Sequence, residues 1–281
     1  MFDCAVVGSG VAGISAALTL KANGKSFVLL GSPDLSAKIG RAECIRNYSG
    51  LSSVSGQAFC QALKEQLKEM DIPVTDERVT GVYALKDKFS LLTESGAAFE
   101  SKTVILTTGV EAVKQIPGEA EFIGRGVSYC ATCDGFLYKG KTIAVLCTSE
   151  RFEREIEYLA DLAKKVYLIP LYKNVAVRKE NIEKIVRMPT GIAGGLRAQK
   201  LLFKEEELPV DGIFMLKESV SPAVLVGGLE MENGHVKVNR DMSTNLKGCF
   251  AAGDCTGRPY QYAKAAGEGN VAAHAVCERK E

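Results

Sequence analysis

The chain predicts an α/β fold containing two strand–turn–helix units of the kind that cradle dinucleotides, and three stretches carry that prediction. Residues 2–8 read as a short buried strand that runs into Gly8-Ser9-Gly10-Val11-Ala12-Gly13, after which Ile14 to Lys21 read as a helix ended by Asn23-Gly24. Thr142 to Leu146, Glu150 to Ala163 and Val166 to Ile169 repeat the order strand, helix, strand. Between the two units stands Cys130-Ala131-Thr132-Cys133-Asp134-Gly135, a pair of thiols three residues apart with an acid directly behind the second.

In the first unit each glycine has a separate physical task. Gly8 permits the tight turn, Gly10 lets the backbone approach a pyrophosphate, and Gly13 lets the helix pack on the strand. The phosphates would sit at the helix N-terminus, where amides are free and the dipole is favourable. The second strand, Phe27 to Leu30, ends in Gly31-Ser32, so the ribose-binding acid expected at that strand end is absent.

Ser55 to Met70 have the period of an amphipathic helix, with Phe59, Leu63, Leu67 and Met70 on one face and Cys60 near it. Residues 74–106 alternate in short runs broken by Thr80-Gly81, Lys86-Asp87 and Ser95-Gly96, which predicts a β-meander. Its last run leads into Thr107-Thr108-Gly109, a turn of small residues suited to close backbone approach. The second unit departs from the first at its turn, Cys147-Thr148-Ser149-Glu150-Arg151-Phe152, which holds no glycine. Phe152 stands where a small residue would permit close packing, and Glu150 would repel a phosphate. Pro170-Leu171-Tyr172 follow the next strand without the clustered arginines that a 2′-phosphate would attract. Residues 189–200 predict a loop or hairpin, Ile213 to Leu216 a buried strand, and Ala263 to Cys277 a closing helix. Asp254, at the turn after Cys249-Phe250-Ala251-Ala252-Gly253, can bond a ribityl or ribose hydroxyl or simply cap a helix.

A Cys-X-X-Cys pair points to thiol–disulfide chemistry, in which one thiolate attacks and the other resolves. The alternative is half a zinc site, but no second such pair exists and the only histidines are His235 and His274. With 281 residues, 46% hydrophobic, the chain can build one large or two ordinary domains. A net charge of +1 gives no electrostatic case for nucleic acid or an anionic membrane. The N-terminus lacks a signal-peptide pattern and no apolar run reaches the length of a membrane span. Nine cysteines in such a chain predict a cytoplasmic protein with mostly reduced thiols and one dedicated redox pair.

Taken in order, Gly8 to Gly13, Asn47-Tyr48-Ser49-Gly50, Thr107-Thr108-Gly109, Gly124-Arg125-Gly126-Val127-Ser128, Cys130 to Gly135 and Phe250 to Asp254 resemble the low-molecular-weight thioredoxin reductases. The resemblance implies two Rossmann-like, three-layer ββα domains. A discontinuous FAD domain would take residues 1–111 and 237–281, and an inserted NADPH-type domain, 112–236, would carry the cysteine pair. It implies FAD bound by Gly8, Ser9, Gly10, Gly13, Asn47, Thr108, Gly109, Gly253 and Asp254. Gln261 matches a glutamine beside the isoalloxazine, Tyr260 replaces an arginine, and Lys38 replaces a glutamine near the flavin. Cys133 would contact the flavin, Cys130 would attack the disulfide of thioredoxin, and Asp134 would shuttle a proton. A homodimer is expected on the same ground.

The degenerate second turn departs from the NADPH-dependent members and is similar to the ferredoxin-dependent flavin branch, with ferredoxin as electron donor. Lys38, Arg41, Lys114 and Arg258 are candidates for meeting an acidic ferredoxin. Other readings are a flavin-dependent dithiol oxidase, a flavin-binding redox sensor, and a reductase with an atypical NAD(P)H site.

Overall fold

The computed structural model describes residues 1–40, 42–110, 115–217 and 221–279, and the chain divides into two compact units, Met1–Val110 with Ser221–Glu281 and Glu111–Val220. Arg41 and Lys114, named above as ferredoxin-facing candidates, lie outside the described residues.

The first unit opens with β1 (Phe2–Val7), α1 (Val11–Ala22) and β2 (Phe27–Gly31). A short helical turn, α2 (Ala37–Gly40), precedes α3 (Gly56–Glu69), whose N-cap Ser55 accepts the Ala58 N–H through its hydroxyl. Phe59, Leu63 and Leu67 are its buried stripe, and Cys60 packs at the edge of the same core. Then come β3 (Val74–Asp76), β4 (Val79–Ala84), β5 (Phe89–Thr93) and β6 (Ala98–Leu106). Strands β4, β5 and β6 form the expected antiparallel meander, but β3 pairs in parallel with β2. Three residues long, β3 carries no alternation that could reveal its partner.

The second unit holds β7 (Val127–Ser128), α4 (Ala131–Asp134), β8 (Thr142–Cys147), α5 (Glu153–Leu162), β9 (Lys165–Pro170), β10 (Ile182–Lys184), β11 (Gly191–Gly194), β12 (Ala198–Leu202), β13 (Glu207–Pro209) and β14 (Gly212–Leu216). Its parallel sheet has the order β10-β9-β8-β14-β7, and β11-β12-β13 form an antiparallel layer. Residues 189–200 thus make the hairpin side of that layer. Strands β8 and β14 are buried almost throughout, as central parallel strands covered on both faces should be.

The chain returns to the first unit with α6 (Pro222–Leu225), β15 (Met231–Glu232), β16 (His235–Val236), β17 (Cys249–Ala251) and α7 (Tyr262–Glu278). The return falls at Ser221 rather than at 237. Val226 bridges to Val82 of β4, and Asn245 fastens 228–230 by accepting the Glu230 N–H and donating to Gly228 O. Those contacts join residues far apart in sequence, so the boundary was not readable from composition. β6 pairs with β5 along its first half and with β17 along its second, while β1 runs beside it on the other edge. The result is a parallel sheet β3-β2-β1-β6-β17 with an antiparallel layer branching from β6, the three-layer ββα arrangement.

Candidate active site

In the first unit the glycine turn joins β1 to α1. Gly8 has φ +119°, and a Cβ there would run into the Thr107 carbonyl; one on Gly13 would run into the Gly8 carbonyl. Both glycines therefore serve close packing of strand, turn and helix. Gly10 differs: its nearest neighbour to a built Cβ is Ser36 Cβ at 4.0 Å, so the space above it is open. Gly10 is also the N-cap of α1, with no side-chain cap and no acid in the first helical turn. An open cradle facing uncapped helix amides fits an anionic pyrophosphate. Ser9 contributes differently from expectation, because its hydroxyl donates to Ser32 O at 2.8 Å and is committed to the end of β2. Gly31 allows this, since a Cβ there would meet Ser9 Oγ at 2.7 Å. The strand end where an acid was missing is thus used to clamp the glycine turn.

Around this cradle stand other expected residues. Gly109 turns with φ +69°, and Lys38 Nζ lies 3.9 Å from where its Cβ would be and donates to Val110 O at 3.0 Å. Burial pushes the Asp254 carboxyl above the ordinary carboxylate value, with Lys38 and Lys264 pulling it back and Glu268 adding to the rise. Lys264 also donates to Gly253 O, Gly257 O and Thr256 Oγ1, while Glu268 accepts the Gly253 N–H and the Thr256 hydroxyl. This clamp on the Asp254 turn was not singled out in the sequence. Its signal was a Lys and Glu four apart on one helix. Gln261 is the exposed N-cap of α7, and Tyr260 bonds His235 Nε2 at 2.7 Å with Arg258 stacked on its ring. Thr108 lies between Thr107 and Gly109 on the turn after β6, and Asn47 is exposed on the loop after Ile45. The open cradle, the half-buried acid and the turn after β6 make a donor set that fits FAD.

In the second unit Cys130 and Cys133 are joined by a disulfide with Cα atoms 5.3 Å apart, which uses both sulfurs and sets aside the zinc alternative for this pair. Cys130 is the N-cap of α4, and its Sγ accepts the Cys133 N–H at 3.1 Å. The Ser128 hydroxyl accepts the Cys130 N–H and donates to Cys130 O. The two cysteines differ in access: Cys130 is 5% exposed, whereas Cys133 is exposed. Gly135 lets this turn press on α5, where a Cβ would meet Tyr158 Cε1 at 2.9 Å. Asp134 is half-buried, and beyond it Phe136 and Leu137 are 68% and 64% exposed.

The second strand–turn–helix unit is built differently. Phe152 is fully buried at the N-cap of α5, and Glu153 and Glu155 occupy the first turn of that helix. Glu153 accepts the Tyr172 hydroxyl and the Ala176 N–H, so a carboxylate ties down the segment after β9. Cys147 is buried at the end of β8 and gives its thiol to Ser149 O.

Residues 2–269 match the family model described as pyridine nucleotide-disulphide oxidoreductase. A thioredoxin reductase of Helicobacter pylori is 35% identical, covering 98% of this chain and 98% of that protein. A thioredoxin reductase of Aquifex aeolicus is 31% identical over 90% of this chain and 85% of its own length. Among solved structures, a ferredoxin-flavin thioredoxin reductase of Clostridium acetobutylicum superposes with a TM-score of 0.89 at 45% identity, covering 99% of this chain and 97% of that one. A thioredoxin reductase of Gloeobacter violaceus follows at a TM-score of 0.78 and 28% identity, over 98% and 93% of the two chains. The glycine cradle, the redox disulfide and these likenesses agree: the chain is an FAD flavoprotein and belongs to the thioredoxin reductase family.

Proposed function

We propose that the protein takes single electrons from reduced ferredoxin and passes them in pairs through FAD and Cys130–Cys133 to thioredoxin, without NADPH. The observation that carries this reading is the second turn, which has no glycine. A fully buried Phe152 is the N-cap of α5, the position that Gly10 holds for α1, and Glu150, Glu153 and Glu155 put acidic residues at the helix end that would face a pyrophosphate. The likeness to the two Clostridium acetobutylicum ferredoxin-flavin thioredoxin reductase structures, at 44% and 45% identity, points the same way.

Energetics allow the direction. A plant-type ferredoxin near about −400 mV and a thioredoxin near about −270 mV differ by roughly 130 mV, about 6 kcal/mol for two electrons. When bound, FAD supplies the conversion of single electrons into a pair. The exposed Cys133 is the sulfur open to exchange with it, and Cys130 is the thiolate that attacks thioredoxin once Cys133 has moved away from it. Asp134, beside the pair, moves the proton that accompanies thiol release. Gly10, Gly109, Gly253 and Asp254 hold FAD, and Gly8 and Gly13 bring strand, turn and helix close enough to form its cradle. Lys38, Asn47, Thr108, Tyr260 and Gln261 surround it, and Ser9 acts through its backbone. Phe136 and Leu137 offer thioredoxin an apolar contact beside the disulfide. The reading includes a homodimer working in the cytoplasm, which sedimentation and fractionation check. No helix among the described residues is long and apolar enough to cross a membrane.

The test is anaerobic flavin absorbance during titration with NADPH and, separately, with reduced ferredoxin. Bleaching by ferredoxin with thioredoxin reduction, and none by NADPH, is the expected result. Bleaching by stoichiometric NADPH would sink it.

A further inference from the structure

The second unit buries an ion pair that the chemistry above does not use. Glu119 is 0% exposed and Lys217 2% exposed, and Lys217 Nζ lies 2.5 Å from Glu119 Oε1. The same carboxylate accepts the Tyr129 hydroxyl on Oε1 and the Ile116 N–H, at 2.9 Å, on Oε2. Lys217 also stands 5.9 Å from the centre of the Tyr129 ring. A buried ion pair adds little net stability compared with apolar residues of similar shape, so its presence calls for a role other than stability alone.

Its position supplies one. Tyr129 directly precedes Cys130, and Lys217 directly follows β14. That strand runs parallel to β7 with Ile213 opposite Val127 and Phe214 opposite Ser128. The cluster therefore ties the segment entering the redox turn to the end of a central strand and to the turn at 116–119. Ser128 completes the hold by bonding both the N–H and the carbonyl of Cys130. On the other side of the disulfide Thr132, Cys133, Phe136 and Leu137 are exposed. Cys130 is buried beside this frame, and Cys133 is exposed.

We propose that Glu119, Lys217 and Tyr129 are positioning residues for the redox pair: they anchor Cys130 so that Cys133 can leave and return to a sulfur that stays in place. Two electrons and two protons open the Cys130–Cys133 bond to a dithiol. The Cys130 thiolate then attacks the partner disulfide, forming one S–S bond and breaking another, and the released partner thiolate takes a proton. Cys133, returning, attacks Cys130 Sγ in the mixed disulfide, restores the intramolecular bond and frees the second partner thiol. Anchoring raises the effective concentration of Cys130 at the place to which Cys133 returns, which favours ring closure. The inference holds whichever donor feeds the flavin.

The experiment equilibrates FAD-loaded protein with dithiothreitol redox buffers, quenches in acid, alkylates, and reads the Cys130–Cys133 peptide by mass spectrometry. Peptide resolution is needed because Cys44 is exposed and its thiol is acidified by Ser53 and Arg46. Tyr129→Phe keeps the ring and removes one bond to Glu119, and it should shift the equilibrium toward the dithiol by about three- to tenfold. Single loss of Lys217 would strand a buried carboxylate, so the second variant is Glu119→Gln with Lys217→Met, which removes both charges and should shift it at least as far. By linkage, a merely structural cluster would lower the melting temperature of oxidised and reduced forms alike and leave the equilibrium where it was. Folded variants with an unchanged constant, or with a shift toward the disulfide, overturn the proposal.

Discussion

The turn between β1 and α1 and the turn between β8 and α5 hold the same place in the same topology, yet one is organised around glycines and the other around Phe152. In the first, Gly8 and Gly13 bring backbone against backbone, and Gly10 leaves a gap in front of the helix amides. In the second, a fully buried phenylalanine takes the N-cap position and the helix end carries carboxylates. A strand–turn–helix unit therefore does not need glycine in order to fold. It needs glycine where backbone meets backbone or meets a ligand, and the two needs separate residue by residue.

Phe152→Ala tests the claim that the second turn is plugged as part of a core. The ring packs among Ile156, Leu159, Val166 and Phe214 in one buried cluster, so its removal should cost about 3–5 kcal/mol in urea unfolding. It should not create flavin reduction by NADPH, because Glu150 and Glu153 remain at the helix end. A loss below about 1 kcal/mol would mean that the site is loosely filled and that the comparison is drawn in the wrong place.

The first turn can be dissected with single methyl groups. Gly8→Ala places a side chain at φ +119° against the Thr107 carbonyl, and should destabilise the fold by about 2–4 kcal/mol even without cofactor. Gly10→Ala meets only Ser36 Cβ at 4.0 Å, an ordinary contact, and costs about 0.5–1 kcal/mol at a helix N-cap, below the cost at Gly8. Its effect should fall on FAD, read as a weaker affinity when apoprotein is titrated with the cofactor and followed by flavin fluorescence. Equal effects of the two substitutions on apoprotein stability would erase the distinction between packing glycines and ligand glycines.

The contrast also marks what the sequence can disclose. Spacing alone exposed Gly8, Gly10, Gly13 and the Cys130–Cys133 pair, because their chemistry acts within a few residues of chain. The missing glycines at 147–152 were equally legible. The α3 stripe was readable because one face repeats with the helical period. By contrast, Glu119 and Lys217 are 98 residues apart, and nothing local announces that Lys217, after four apolar residues, turns inward to a carboxylate. The return to the first unit at Ser221 and the pairing of β3 with β2 likewise depend on partners distant in sequence. Ser9 shows the limit from the other side: its place in the motif was plain, but its commitment to Ser32 needed the neighbouring strand.

The smallest expected effect concerns Asp254, the acid proposed to hold the first unit's cofactor. Burial raises the Asp254 carboxyl above its ordinary value, partly offset by Lys38 and Lys264. Between the ordinary and the raised value the folded chain keeps a proton that the unfolded chain has released. Apoprotein stability therefore falls as pH rises through that window, and the penalty persists above it. Asp254→Asn removes the titration, so the variant apoprotein should melt higher than the parent at neutral pH, with the difference fading below a pH of about 4. The same substitution should weaken FAD binding by about three- to tenfold through loss of a charged hydrogen-bond acceptor. Opposite signs in stability and affinity would identify Asp254 as a residue kept for the ligand at the expense of the empty fold. A variant that loses both would make it a structural cap of the turn that follows β17.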